Sequence, residues 1–346
     1  MANGNRKKKG ERQGSVLAKK KYDMVTELYM EAAKEVSAKP ENWMAFLRSA
    51  CRNYRLPFDE QLLIHVQRPN AAAVLQMEDW NKKFGRWVKR DAKGIAVIDQ
   101  KPNAMRLKYY FDISDTQEGK HKRLVRPVPL WEVNAGQREA VRETLADAFG
   151  VKAKGAKFAE TILEAAGNAA EDNFPDYLDD ILTSREGSFL EGLDADRIEA
   201  ETKELMKNSI AYMLLVRCGV DPDAYLSADD FRNIGNFNTL ALVNLFGAAT
   251  SGVSEIALRE VADTVGRLSQ EEKKKSRTFA GMEADRYNKK EQTETNTEGS
   301  LEYERDSIQQ ARGLLNLKIT YTYSLLIHCL QIPRRNQTIQ KRSFCR

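Results

Sequence analysis

The chain has 346 residues, 42% of them hydrophobic and 30% charged, with a formal net charge of +5. That is enough apolar material for domain cores, which excludes a chain disordered throughout and predicts a mainly folded, soluble protein of up to two ordinary domains. No run approaches the roughly eighteen uninterrupted apolar residues of a membrane span, and the basic start "MANGNRKKKGERQGSVLAKKKYD" leads into no apolar signal core, so a cytoplasmic protein with no membrane partner is expected.

Charge is distributed unevenly along the chain. Residues 1–130 carry 27 Lys and Arg against 15 Asp and Glu, a net of +12, and residues 319–346 add five cations and no acid, leaving 131–318 at −12. A basic half joined to an acidic half predicts a module that faces a polyanion. Four cysteines, Cys51, Cys218, Cys329 and Cys345, show no CxxC and no regular spacing, so free thiols are expected.

Residues 1–21 form a basic arm almost without apolar residues, expected to be disordered when alone. A helix follows, with Tyr22, Val25, Leu28, Tyr29, Ala32 and Val36 at the helical period until Pro40 breaks it. Trp43, Phe46, Leu47 and Ala50 mark a second helix, and Phe58 to Val66, opened by Asp59 and closed before Pro69, a third. A short helix from Met77 to Phe84 ends at Gly85, a left-handed cap. The period then changes. Arg86 to Val88 reads as a short extended piece and Ile95 to Ile98 as a strand. From Arg106 to Ile113 the alternation is strict, with Leu107, Tyr109, Phe111 and Ile113 on one face. "KRDAKG" and "QKPNA" supply the turns. An α+β fold is expected for residues 22–130, a small antiparallel sheet with packed helices.

Residues 131–276 read as an acidic helical region. Asn134 caps a helix ending at Gly150, and others are predicted at about 156–167, 174–184 and 195–218, the last stopped by Gly219. Ser227 with Asp230 resembles a capping box. "NTLALVNLFGAAT" is apolar nearly all round and belongs near a core centre, and a final helix is predicted from about Ser254 to Lys275. Residues 277–318 are a polar linker. The acid-free tail at 319–346 reads either as a strand-like interaction segment or as sequence read out of its proper frame.

Catalytic signatures are missing from the sequence. His65, His121 and His328 are far apart and form no HExxH or paired ligand spacing. "GVKAKGAKF", Gly150 to Phe158, has phosphate-loop glycines but places Ala156 and Phe158 where lysine and a hydroxyl residue belong. Asp179/Asp180 and Asp229/Asp230 read as solvated faces or caps. The expectation is a protein that is not an enzyme and holds no cofactor or metal.

"WNKKFGRWVKRDAKGIAVID" is different in kind. Lys82, Lys83, Arg86, Lys89, Arg90 and Lys93 interleave with Trp80, Phe84 and Trp87, and single-stranded nucleic acid offers phosphates to the cations and unstacked bases to the aromatic faces. The candidate binding residues are Lys82, Lys83, Arg86, Trp87, Lys89, Arg90 and Lys93, with Trp80 on the core side. The bland alternative is a charged hairpin at a sheet edge, where lysines oppose aggregation.

This stretch, with the upstream "WMAFLRSACRNYRLPFDEQLLIHVQRPNAAAV", resembles the N-terminal domain of ArdC-type antirestriction proteins. The pattern of Trp80, Gly85, Val88, Lys89, Arg90, Lys93, Gly94 and the strand Ile95 to Ile98 carries the likeness over about residues 22–125. A similarity to the N-terminal region of very large helicase and methylase proteins of integrative and conjugative elements extends to about residue 317. The resemblance implies a single-stranded DNA-binding module of a mobile-element DNA-processing protein, with single-stranded DNA and other mobile-element proteins as partners. HExxH, a methylase Asn-Pro-Pro-Tyr and a Walker lysine are all missing, so those activities are not implied. The likeness stops where the tail begins, which favours the out-of-frame reading and a truncated fragment. The alternative function is an interaction scaffold whose basic segment docks an acidic protein. If the tail is no part of the fold, removing residues 319–346 should leave stability within about 1 kcal/mol in a denaturant melt; a larger loss would show that Tyr321 to Ile332 is packed.

Overall fold

The computed structural model describes residues 3–100, 105–119, 125–128, 130–152 and 157–291, with side chains from Leu17 to Lys275. The turn at 101–104, His121 and the tail at 319–346 lie outside the described residues, as does the linker beyond 291. Residues 1–98 and 107–266 make one unit, and 99–106 with 267–346 a second. The fold is α+β, 66% helical with a small antiparallel sheet.

Proline sets the first boundary. Lys39 is extended (φ −146°, ψ 145°), as a residue before proline must be, so helix α1 (Asn3–Ala38) stops and α2 (Pro40–Ala50) starts with Pro40 in its first turn. Helix α1 reaches back into the segment whose composition predicts disorder. It does so as the extension of a packed helix, which adds residues without a new nucleation cost. Pro57 precedes α3 (Phe58–Gln67), and a two-residue strand β1 (Val74–Leu75) leads to α4 (Met77–Phe84). Then come β2 (Arg86–Val88), β3 (Ile95–Asp99), β4 (Arg106–Asp112), a 3-10 turn at Ile113–Asp115 and β5 (Thr116–Glu118).

The strand order is β1-β4-β3, with β1 antiparallel to β4 in the register Val74 opposite Asp112. A second ladder, β2 with β5, pairs Arg86 with Glu118, Trp87 with Gln117 and Val88 with Thr116. The outer edge of β3 is closed by a side chain: the Gln67 amide donates to Ala96 O (2.8 Å) and accepts from Ala96 N (3.0 Å). The face of β4 that turns inward is not its apolar one. Tyr110 is buried while Tyr109 is 41% exposed, because buried Glu60 on α3 accepts the Tyr110 hydroxyl (2.6 Å) and pairs with Lys108. The polar groups on that face are thereby satisfied.

The next helices fall where the sequence signals place them, except that the one expected to end at 167 continues through Gly167 to Asn173. Asn134 and Gln137 cap each other reciprocally at 3.0 and 3.2 Å ahead of α5 (Arg138–Phe149), which ends at left-handed Gly150. Helices α6 (Phe158–Asn173), α7 (Pro175–Thr183) and α8 (Ala195–Arg217) succeed it; Asp194 caps α8. Ser227 and Asp230 form the capping box of a 3-10 segment at Ala228–Asn236. The two helices expected after it are one, α9 (Leu240–Glu291), since no proline interrupts the run. Part of it, within Leu240–Lys275, is apolar enough to span a membrane by composition; its Leu242, Phe246, Val253 and Leu258 are packed inside the protein. In the second unit the distal part of α9 carries an Arg267–Glu271 pair.

The described residues form two hydrophobic clusters. The smaller holds Leu63, Ile64, Ala71, Val74, Ile95, Val97 and Tyr110, with Val25 and Leu28 of α1 against it. The larger joins α1, α2 and α3 to α5–α9, so helices on both sides of residue 130 share one core. Trp43 is at its centre, fully buried, its ring 5.2 Å from Phe46 and 5.4 Å from Phe246, its indole N–H donated to Ser209 on α8 (2.9 Å). Nearby, α9 approaches α3 so closely that a Cβ on Gly247 would lie 2.4 Å from the Phe58 ring. Gly247→Ala should therefore destabilise by about 1–3 kcal/mol in urea melts, against the gain of up to about 1 kcal/mol that alanine gives an open helical site. Net stabilisation would contradict this packing.

Candidate nucleic-acid interface

The basic stretch is built outward from one buried tryptophan. Trp80 on α4 is fully buried, donates its indole N–H to Phe111 O on β4 (2.8 Å) and meets the Phe84 ring at 5.5 Å with the planes tilted by 54°. Helix α4 ends because Gly85 is left-handed (φ 63°), a conformation that favours glycine, and the chain turns directly into β2. Alternation along β2 then points Arg86 and Val88 inward and Trp87 outward, 58% exposed.

The predicted residues divide by what they already hold. Arg86 donates to Thr116 Oγ1 (2.7 Å) and Thr116 O (3.3 Å) across the ladder, and Lys89 donates to Ser114 O (2.8 Å). Lys83 pairs with Asp79 one turn earlier at 3.0 Å. Lys82, Arg90 and Lys93 are exposed and have no hydrogen-bond or ion-pair partner among the described residues. Arg86 is thus a strut of the ribbon, while those three cations are free for a ligand.

Tertiary structure adds two residues that the sequence reading missed. Gly119 donates its N–H to Gly85 O (3.0 Å), and the Trp87 indole lies over it; a Cβ there would sit 2.9 Å from both Trp87 Nε1 and Gly85 O. Beyond it the chain returns, Arg126 N–H donating to Phe84 O (3.1 Å) and leaving an exposed Arg126 side chain beside α4. The basic run "KHKRLVR" was the available signal for Arg126. Glu118 and Asp91 are the exposed acids of the ribbon and its turn.

The ribbon is held to the sheet by Asp112. Its buried carboxylate accepts the N–H groups of Ala72 (2.8 Å) and Ala73 (3.1 Å) on one oxygen, and the Ser114 N–H (3.0 Å) and hydroxyl (2.5 Å) on the other. Burial opposes its ionisation, yet the Ser114 and backbone donors outweigh burial and hold the carboxyl below the usual aspartate range. Next to it, Asp115 pairs with Arg68, which also donates to Ser114 Oγ (3.2 Å). Lys89 N–H donates to Asp115 O (2.8 Å) and Ile113 N–H to Ala73 O (2.9 Å), so the two ladders meet at this turn.

Other titratable groups serve packing. His65 lies edge-on to Phe46 at 5.9 Å, and burial lowers its pKa. Cys51 and Cys218 are buried free thiols whose pKa values burial pushes up to about 11 and about 12, so neither is poised as a nucleophile. Among the described residues no group of three or more His, Cys, Asp or Glu side chains could hold a metal ion. Comparison of the chain with protein-family models, with curated proteins and with solved structures finds no match.

Because the folded Asp112 pKa is depressed, its contribution to stability is full above the ordinary aspartate value of about 4 and is lost as pH falls through the folded value. Asp112→Asn puts a donor where Ser114 N–H needs an acceptor, and should cost about 1–3 kcal/mol at pH 7. The gap between variant and parent should narrow on acidification below that window. A gap independent of pH would show that the ionised carboxylate is not what holds the turn.

Proposed function

We propose that the chain binds single-stranded DNA through the β2–β5 ribbon, as a DNA-handling module of the mobile-element machinery that its sequence resembles. The supporting observation is Trp87: a mostly exposed indole on a short two-stranded ribbon, held over a glycine, with exposed cations on the helix before the ribbon strand and the turn after it. Base stacking on such a platform tolerates any sequence, and cations along its border follow the phosphates. A charged sheet edge or an acidic protein partner accounts for the cations alone and leaves the placement of the indole without a role. In this reading Trp87 stacks a base, Lys82, Arg90 and Lys93 meet phosphates, Lys83 and Lys89 add positive potential, and Arg86 holds the ribbon in shape.

Replacing Lys82, Arg90 and Lys93 together by alanine should flatten the salt dependence of oligothymidylate binding by about 2, at roughly −0.7 per phosphate contact on a single strand. Trp87→Ala should weaken binding by about 1–3 kcal/mol with the melting transition unmoved, whereas Trp80→Ala should cost about 3–5 kcal/mol of stability. Fluorescence anisotropy over a range of salt, with thermal melts alongside, reads all three. A triple variant with the parent's affinity and slope would overturn the assignment of the ribbon.

A further inference from the structure

Helix α1 contains more than its packing needs. Its first packed side chains, half-buried Tyr22 and then Val25 and Leu28 against the small-sheet core, begin just past its midpoint. Every described side chain before them, Leu17 to Lys21, is exposed. The backbone is helical back to Asn3, which at 1.5 Å per residue is about 28 Å of helix ahead of Tyr22. Between Asn3 and Lys21 there are eight cations and one acid, Glu11.

Such a helix is poorly stabilised by itself. Lys8 and Arg12 are like charges at i,i+4, Arg6 and Lys9 at i,i+3, and Gly4, Gly10 and Gly14 weaken helix further. A polyanion removes the repulsion, so the helix and its ligand stabilise each other. The segment suits a duplex better than a lipid surface, because Val16, Leu17 and Ala18 are its few apolar residues, too few for the apolar face that an interfacial helix buries. It fits a duplex: a helix about 10–12 Å across matches a major groove about 12 Å wide, and about 28 Å of length approaches one turn of about 34 Å.

We infer that the basic first half of α1, residues 3–21, lies along the phosphates of duplex DNA, so that the protein's target is a duplex bearing a single-stranded tail. The helix leaves the core on the side of the small sheet, against which Val25 and Leu28 pack, and Trp80 ties the ribbon-bearing segment to that same sheet through β4. The single-strand half of this inference rests on the ribbon reading; the duplex half does not.

The test compares the full chain with a variant carrying Arg6, Lys7, Lys8, Lys9 and Arg12 all changed to Gln. These residues precede the packed part of α1, and an unchanged melting temperature checks that. On a blunt duplex the parent's salt slope should exceed the variant's by about 4, at roughly −0.9 per phosphate. On the same duplex with a thymidine tail, the parent should bind roughly a hundredfold tighter than to either part alone, an advantage the variant loses. Trp87→Ala should lose the tail advantage while keeping the parent's blunt-duplex slope. If it keeps the advantage while the Gln variant loses duplex binding, the ribbon reading falls and the duplex half stands. Equal blunt-duplex slopes for parent and Gln variant overturn the inference. So does a Gln variant that fails only to bind phosphatidylserine vesicles, which would make the helix a membrane anchor.

Discussion

The carboxylate of Asp112 is the joint on which the candidate site depends. It collects four hydrogen bonds where β4 ends, two from the backbone entering β1 and two from Ser114. That fixes the Ile113–Asp115 turn, and the turn sets where β5 begins. The β5 strand is the ladder partner of β2, so the outward direction of Trp87 follows from how Asp112 is held. A buried carboxylate is costly unless its lone pairs are filled, and here neighbouring backbone fills them. The cost of burying that charge is what makes the turn specific.

The three-stranded sheet and the bulk of the protein are supported by different cores. Trp43 gathers α2, α3, α8 and α9 into the large helical cluster, while the small cluster lies under the three-stranded sheet to which the Ile113–Asp115 turn joins the ribbon. Helices α1 and α3 contribute to both, with Leu62 in the large cluster and the adjacent Leu63 and Ile64 in the small one. The acidic helices therefore act as a base for the small sheet, and their charge faces solvent in local pairs such as Arg197–Glu201 and Lys207–Glu204. Such exposed pairs add little stability.

Local chemistry was legible in the sequence. Gly85 as a left-handed stop, Pro40 as a boundary and, to within a residue at their ends, the strands read at 86–88, 95–98 and 106–113 were readable from residue type and period, and so was the contrast between buried Trp80 and exposed Trp87. What depends on distant contacts was not. Strands β1 and β5 are two and three residues long and exist only because Asp112 and the turn pair them. The inward face of β4 was hidden because its partner, Glu60, lies on another helix. Gly119 looked like an ordinary turn glycine until the indole was placed on it, and Arg126 reaches the ribbon through a backbone bond that no spacing rule encodes. Fusion of the last two helices into α9 was missed because apolar and polar stretches read separately although nothing breaks the chain between them.

The central claim is that Trp87 is the surface on which a base stacks, and its own fluorescence reports that most directly. Trp43 and Trp80 are buried, and Trp131 is covered by the Arg217 guanidinium at 3.8 Å, so a ligand at the ribbon reaches Trp87 first. Titration with oligothymidylate should quench part of the tryptophan emission of the parent, and Trp87→Phe should abolish that quenching. Quenching that persists undiminished in the variant, or a strand that binds the parent without changing its emission, would contradict the account.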